Sequence, residues 1–459
     1  MHEKLMNRWF VVFGAVLIQL CLGAIYAWSV FTKQITLPLE EGGTYGFSAT
    51  QAAWIFSAGL AVFAVVMVWA GRLQARIGPR PVAVAGGIVL GIGYVLGGVF
   101  GNSFPAQLVC IGVIGGAGIG LAYVVPIAVG VKWFPDKKGM ITGLAVAGFG
   151  FGATLWVKLA GDWFGGLLNT TSLFGLPGVQ SVFVIYGIVF LVCVLLGSVV
   201  MVNPPGGYKP AGWEPPPVNV HKPSGTVDFD AREMLGTPQF YTLWLMFVGS
   251  ALAGLMVIYC IRLFGIDALQ ASGAVTAAAG AGAAEAAGRI AGTAMAWYAI
   301  LNGLGRIAWG TISDKIGRKA ALFLMCLLQG LVMLLFYRMG SSPWGLIIGA
   351  CIIGFNFGGN FALFPAATAD FFGNKNVGTN YGWIFLAYGV AGIAGPQVAG
   401  YFKDAAQGGD PSAWLTPFLV AGVSCLIAAG LALALKPPAP KGQSGPAEAA
   451  NKPEMAMRD

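Results

Sequence analysis

The chain has 459 residues, 57% of them hydrophobic and only 10% charged, with a mean hydropathy of +0.76. Soluble domains carry about 25% charged residues, so this composition excludes a soluble globular enzyme and points to a polytopic membrane protein. The 26 basic and 18 acidic residues give +8, which reflects loop topology rather than nucleic-acid binding, because no stretch interleaves Lys/Arg with aromatics.

In chain order, apolar windows of roughly 20 residues predict twelve membrane-crossing helices. They fall at about 9–31, 50–71, 81–101, 106–131, 140–160, 179–202, 238–262, 290–312, 320–338, 344–366, 380–402 and 413–435. The opening MHEKLMNRWF runs into the first window without an A-x-A cleavage site and reads as a retained first helix. Residues 1–202 form a first six-helix lobe. Residues 203–237, rich in Pro and charge, form a solvated linker. Residues 238–436 form a second lobe, with an Ala/Gly-rich extracellular insertion at 263–289. That insertion reads as a short helical hairpin or an extension of the eighth helix. Residues 437–459 read as a disordered tail. The predicted fold is all-α integral membrane, with twelve transmembrane helices in two pseudo-symmetric lobes.

The pseudo-symmetry is visible as an internal repeat. GRLQARIGPR from Gly71 matches GTISDKIGRK from Gly310, and Pro126 falls on Pro365, in each case 239 residues on. At the same offset Gly143, Phe149 and Gly150 fall on Gly382, Tyr388 and Gly389. Two related halves of six spans describe a carrier with its site between the lobes. Arg72, Arg76, Arg80, Lys132, Lys137, Lys138, Lys315, Arg318 and Lys319 gather on one side of the predicted topology with the linker and both termini. By the positive-inside rule that side is cytoplasmic, which suits a bacterial inner membrane.

Chemistry concentrates at one residue. Arg306 lies deep in the eighth window, where a charge costs roughly 2.5–3.5 kcal/mol on insertion scales. Such a group persists only where it meets a partner, water or an anionic ligand. Asn302 is four residues earlier, on the same helix face. A guanidinium offers a planar fork that a carboxylate accepts with two parallel hydrogen bonds. None of the acids falls in the middle of a span, so no embedded carboxylate stands ready as a proton relay. The seven cysteines and two histidines show no metal-binding spacing, and no cofactor loop or nucleophile–base set is present. The reading is therefore not an enzyme, with no cofactor and no metal. A passive channel lacks a ring of charges or a filter motif, and a sensor lacks a signalling module.

GRLQARIGPR and GTISDKIGRK resemble the loop signature of the major facilitator superfamily. The residues that carry it are Gly71, Arg72, Arg76, Gly78 and Arg80 in the first half and Gly310, Asp314, Gly317 and Arg318 in the second. The resemblance implies a charged latch that holds the cytoplasmic side closed. NRWF at Asn7, WFPDKKG at Trp133, REMLGTPQF at Arg232, SDKIGR at Ser313, ALFPA at Ala362 and NYG at Asn380 are similar to the oxalate/formate antiporter branch, which adjoins the monocarboxylate transporters. That resemblance implies an anion site at Arg306 with Tyr123, Tyr26, Phe357, Phe361 and Tyr388 around it. The oxalate carrier has a second cation, a lysine, where this chain has Tyr388. Animal monocarboxylate carriers have an aspartate where this chain has Asn302.

One fixed charge suits one carboxylate. The expected function is secondary transport of a small monocarboxylate of the lactate, pyruvate or formate kind, by anion exchange or with a proton as the coupling ion. The alternative is an oxalate/formate-type exchanger. The expected partners are the anion, the bilayer and no nucleic acid, with a single chain as the transport unit.

Overall fold

The computed structural model describes residues 6–41, 43–134, 138–176, 178–205, 208–210, 228–275, 282–373, 376–405, 410–436 and 438. Among the described residues the chain forms twelve long helices and no strand. They are α1 (Arg8–Thr36), α2 (Ala49–Ile77), α3 (Pro79–Phe100), α4 (Phe104–Gly130), α5 (Lys138–Gly161), α6 (Gly178–Ser198), α7 (Pro238–Ala271), α8 (Gly282–Ile316), α9 (Arg318–Met339), α10 (Pro343–Phe372), α11 (Val377–Ala405) and α12 (Leu415–Ala434). Ten are long and apolar enough to cross a membrane. The other two, α5 and α8, are glycine-rich, and α8 also carries Glu285, Arg289, Arg306, Asp314 and Lys315. The outer surface is apolar, with Leu196, Leu335, Ile348 and Ile427 turned outward. A surface of that kind faces lipid rather than water.

Helices α1–α6 pack as one lobe, through α3 on α6, α2 on α4 and α1 on α5. Helices α7–α12 pack as the other, through α8 on α10, α9 on α12 and α7 on α11. Between the lobes α2 lies along α11, α5 along α8, and the second half of α1 against α7. The repeat read from the sequence reappears in the backbone. Gly78 and Gly317 end α2 and α8 with φ of 89° and 85°. Each of their amides donates 3.0 Å back, to Gln74 O and Ser313 O. Left-handed φ there is cheap only for glycine.

The end of the bundle with Arg72, Arg76, Arg80, Lys132, Lys315 and Arg318 is called the basic end here. Among the described residues, no hydrogen bond or ion pair of the charged loops there joins the lobes. Arg80 donates to Val199 O within the first lobe. Arg318 pairs with Asp314 at 2.8 Å and with Asp370 at 2.9 Å, both in the second lobe. Asp370 is thus held at the rim and does not reach the interior. Residues 228–235 also dock on the second lobe. The Phe229 amide donates to Phe372 O at 2.9 Å, and its carbonyl accepts from Asn376 and Asn380 at 3.0 Å each.

Among the described residues, polar bonds that cross between the lobes lie instead at the centre and toward the opposite end. The Asp404 carboxylate on α11 accepts from the first two amides of α2, Ala49 N at 2.7 Å and Thr50 N at 2.8 Å. Tyr259 Oη donates to Ala49 O. Thr154 Oγ1 donates to Ala296 O at 2.9 Å, and Lys158 Nζ reaches Thr293 Oγ1 at 2.9 Å. This structure therefore has its lobes drawn together at the end away from the basic loops. The 263–289 segment is largely helical, since α7 runs on to Ala271 and α8 begins at Gly282, with 276–281 outside the described residues. The predicted tail also lies almost wholly outside them.

An anionic cap on a helix N-terminus is worth about 0.5–2 kcal/mol. Asp404→Ala is expected to speed hydrogen exchange at the Ala49 and Thr50 amides by about 2- to 30-fold, the kinetic equivalent of that loss. Unchanged exchange would show that the cap does not hold this end.

Candidate functional site

The residues expected around Arg306 converge where the two seams meet at mid-height. Arg306 is 3% exposed. Its Nε donates to Asn302 Oδ1 at 3.0 Å, one turn earlier on α8, and its Nη1 donates to Val146 O of the opposite lobe at 3.1 Å. Its Nη2 and Asn302 Nδ2 are buried donors with no hydrogen bond within normal distance and angle among the described residues. The guanidinium carbon stands 4.1 Å from the Phe361 ring centroid and 5.9 Å from that of Phe149. Ring faces attract a cation but do not accept its hydrogen bonds.

Tyr26 and Tyr388 close the top of this group. Their hydroxyls are 2.8 Å apart and join the lobes at the centre. Tyr26 and Tyr123 both lie close to the guanidinium. Phe357 packs between Tyr26, at 6.0 Å, and Phe361, at 5.4 Å. All seven residues expected at the site are thus gathered in one cluster. They are in contact with one another, and Tyr26, Asn302, Phe357 and Tyr388 are fully buried, so the structure is closed around them.

Local sequence explains the placement. Tyr26 sits in a 3-10 turn, Gly23–Ala27, that interrupts α1. Gly23 lies so close to α5 that an added Cβ would stand 2.0 Å from Phe149 O. Only glycine permits that approach, and it brings Tyr26 edge-on to Phe149 at 4.9 Å. On the other side Gly358 of α10 faces the Asn302 carbonyl, where a Cβ would stand 2.1 Å away. This contact sets Phe357 and Phe361 beside Asn302 and Arg306.

Sequence reasoning missed several members of the cluster. Phe149 touches Tyr26 and Tyr123, Phe63 lies 5.0 Å from Tyr123 and 5.9 Å from Tyr388, and Phe385 stacks on Tyr388 at 4.9 Å. Gln19 Nε2 donates to Tyr123 O at 3.0 Å and ties α1 to α4. A signal for Phe149 was present, because it occupies the repeat position of Tyr388. Lys158, near the outer end of α5, is held by Asp162 at 2.7 Å and by Thr293.

Chemically the cluster is a cation with spare donors, hydroxyls on one side and apolar rings on the other. It can accept a small anion bearing an apolar end. Among the described residues no acid pairs with the charge, and no group of His, Cys, Asp or Glu could hold a metal.

Comparison with known proteins adds to this picture. A family model described as the Major Facilitator Superfamily matches residues 8–292 and 285–458. The "uncharacterized MFS-type transporter YhjX" of Escherichia coli (strain K12) is 30% identical over 399 residues, covering 84% of this chain and 86% of that one. The oxalate:formate antiporter of Oxalobacter formigenes is 27% identical, covering 93% and 91%. Apicoplast pyruvate carrier 1 of Toxoplasma gondii is 26% identical, covering 82% and 80%. Among solved structures, a bacterial homologue of the lysosomal transporter Spinster shares the fold with a TM-score of 0.65 at 18% identity, covering 93% of this chain and 96% of that one.

Asn302→Ala would leave Arg306 Nε without its acceptor, an expected cost of about 1–3 kcal/mol. Tyr26→Phe removes one neutral hydrogen bond, an expected cost of about 0.5–1.5 kcal/mol. Thermal unfolding in detergent is expected to rank the first below the second; the reverse order would contradict the placement of Asn302 as the orienting group.

Proposed function

The chain belongs to the Major Facilitator Superfamily, and we propose that within it this protein is a secondary transporter of small monocarboxylates that alternates access around Arg306. The observation that carries the reading is the guanidinium itself. It is buried between two lobes with no acid partner among the described residues, where Nη2 and the neighbouring Asn302 Nδ2 also lack hydrogen-bond partners. A carboxylate supplies the missing acceptors and the missing charge together. Phe357, Phe361 and Phe149 give the anion's carbon end an apolar wall. The hydroxyls of Tyr26, Tyr388 and Tyr123 can donate to the same anion.

The single charge favours a monocarboxylate over oxalate. A dicarboxylate would leave one carboxylate uncompensated in a low-dielectric site. The similarity to a pyruvate carrier supports this choice, while that to an oxalate:formate antiporter supports the alternative. Orientation follows from the basic end, which by the positive-inside rule is cytoplasmic. The natural setting is then a bacterial inner membrane, with the closed end facing outward and a single chain as the transport unit.

Uptake of labelled lactate and oxalate into proteoliposomes tests the reading, with internal anion or with a pH gradient. Lactate uptake is expected to saturate and to accelerate with lactate inside. Oxalate counterflow outcompeting lactate would replace this reading by the oxalate/formate one. Arg306→Ala is expected to insert normally and lose at least about 100-fold in uptake, or about 2.7 kcal/mol. Near-normal uptake in that variant would remove the site assignment.

A further inference from the structure

The interior of the second lobe holds a polar cluster apart from Arg306. Gln329 of α9 and Asn356 and Asn360 of α10 are each no more than 2% exposed. Among the described residues, Gln329 Oε1 and Nε2, Asn356 Nδ2 and Asn360 Nδ2 have no hydrogen-bond partner. Asn360 Oδ1 accepts from Ser250 Oγ of α7 at 2.7 Å.

Contacts between the helices set these groups at one level. A Cβ added at Gly349 of α10 would stand 2.7 Å from Phe336 Cδ2 of α9, and one at Gly359 2.5 Å from Met325 Sδ. Moving from Gly349 to Gly359 on α10 therefore retraces Phe336 to Met325 on α9. Gln329, one turn from Met325, stands level with Phe355 and Asn356. It lies at the middle of the buried face of α9, which includes Leu322, Met325, Met333 and Phe336. On α10, Gly354 and Gly358 turn toward α8, and Phe357 turns toward Gly254 of α7. Asn356 and Asn360, four apart, share the face between α7 and α9. These three helices pack against one another.

Buried amides without partners are costly, and folded interiors avoid them. The donor set selects what could complete this group. Three amide nitrogens offer protons, and Gln329 Oε1 is a spare acceptor. A hard metal cation needs a shell of oxygens and does not find one in such a set. An anion finds no countercharge, because α10 carries no Lys or Arg and those of α9 stand at its ends. A water molecule fits: it accepts two N–H bonds and returns an O–H to Gln329 Oε1.

The cluster also bears on the central site. Asn356 and Asn360 immediately precede Phe357 and Phe361. The rotation of α10 that turns the amides inward also turns the rings toward the anion's place, with Phe361 4.1 Å from the Arg306 guanidinium. Glycines at 354, 358 and 359 leave α10 without side chains to key its contacts with α8 and α9. A polar tie on the inward face supplies that key.

We propose that Gln329, Asn356 and Asn360 bind a buried water that ties α9 to α10, and that through this tie Gln329 is a positioning residue by which the central site selects anions with an apolar end. The selection rests on the function proposed above. The water-bound cluster does not.

Cluster and selection are tested apart, on the full-length protein. In detergent, Gln329→Met and Asn356→Leu are each expected to lower the midpoint of thermal unfolding. The double variant is expected to unfold no lower than the worse single, because each change strands the other's partner. Additive losses overturn the cluster, as does a rise with Gln329→Met, the result expected on removing an idle amide. A map that resolves ordered water is expected to show one between Gln329 and Asn356; direct amide–amide bonds with no water there overturn the bound water. In proteoliposomes, Gln329→Met is expected to raise the KM for lactate at least about 10-fold, the order that one lost methylene contact carries in a hydrophobic pocket, and to move that for formate less than about 2-fold. Formate has no carbon end for the rings to hold, so a merely structural loss would shift both alike. Equal shifts, or an unmoved KM for lactate, overturn the positioning role. Wild-type protein that takes up neither anion would defeat the function proposed above and the selection with it, while the unfolding cycle still decides the cluster.

Discussion

The constraint on which the rest of the structure depends is a guanidinium held out of water without a carboxylate to meet it. Arg306 receives partial compensation from Asn302 Oδ1, from the Val146 carbonyl and from the faces of Phe361 and Phe149. These are dipoles and quadrupoles rather than charges. They orient the fork and lower its cost, but they leave its full unit of charge in place. The same contacts fix where the lobes must meet, because one acceptor comes from α8 itself and the other from α5 across the seam.

Contacts within each lobe and contacts between lobes differ in kind. Within a lobe, helices approach most closely at glycine, whereas across the seam the corresponding approaches, at Gly150 and Gly400, are looser, with a Cβ 3.0 Å from Ala299 O and from Thr50 Cα. Gly305 faces Phe355 O and Gly354 faces Tyr298 O, at positions where a Cβ would be 2.0 and 2.3 Å away. Rings then fill the remaining space, as where Phe247 stacks on Phe364 at 4.3 Å. Between lobes the polar ties are single hydrogen bonds, each worth on the order of 1 kcal/mol net. A handful of such bonds can be broken and remade in a transport cycle, whereas the packing inside each lobe cannot. Rigid halves on a weakly bonded seam are what two-lobed rocking requires.

Much of this was legible in the sequence. The twelve helices follow from apolar length, and the two halves from matching loops whose glycines, Gly78 and Gly317, keep the same left-handed turn. Arg306 stood out because charge within an apolar span is rare, and Asn302 followed from helical spacing. Less legible were residues whose role depends on which helices become neighbours. Phe63 and Phe385 read as ordinary apolar positions until α2 and α11 lie side by side. Asp404 carried no signal of its own in the sequence, yet it caps a helix of the other lobe. The loop motif suggested a latch across the basic end, but Arg80, Asp314 and Arg318 meet partners in their own lobe. Composition can locate a charged loop; only the relative position of the lobes decides what that loop touches.

Under the proposed function, the charge state of the central site also bears on coupling. With a monocarboxylate aboard, the site is neutral, and moving it between the two faces carries no uncompensated charge through hydrocarbon. Empty, it carries Arg306 alone, and the described residues place no acid there to cancel it. Asp370, the nearest candidate by helix, is held at the basic rim by Arg318. The empty return is therefore the costlier step, which favours exchange of one anion for another over net uptake. For a proton to change that balance it must travel on the substrate itself or on a group that the anion brings into play. The hydroxyl pair of Tyr26 and Tyr388 joins the lobes at the centre. Its part is geometric: a bond across the centre that an incoming carboxylate can replace with two.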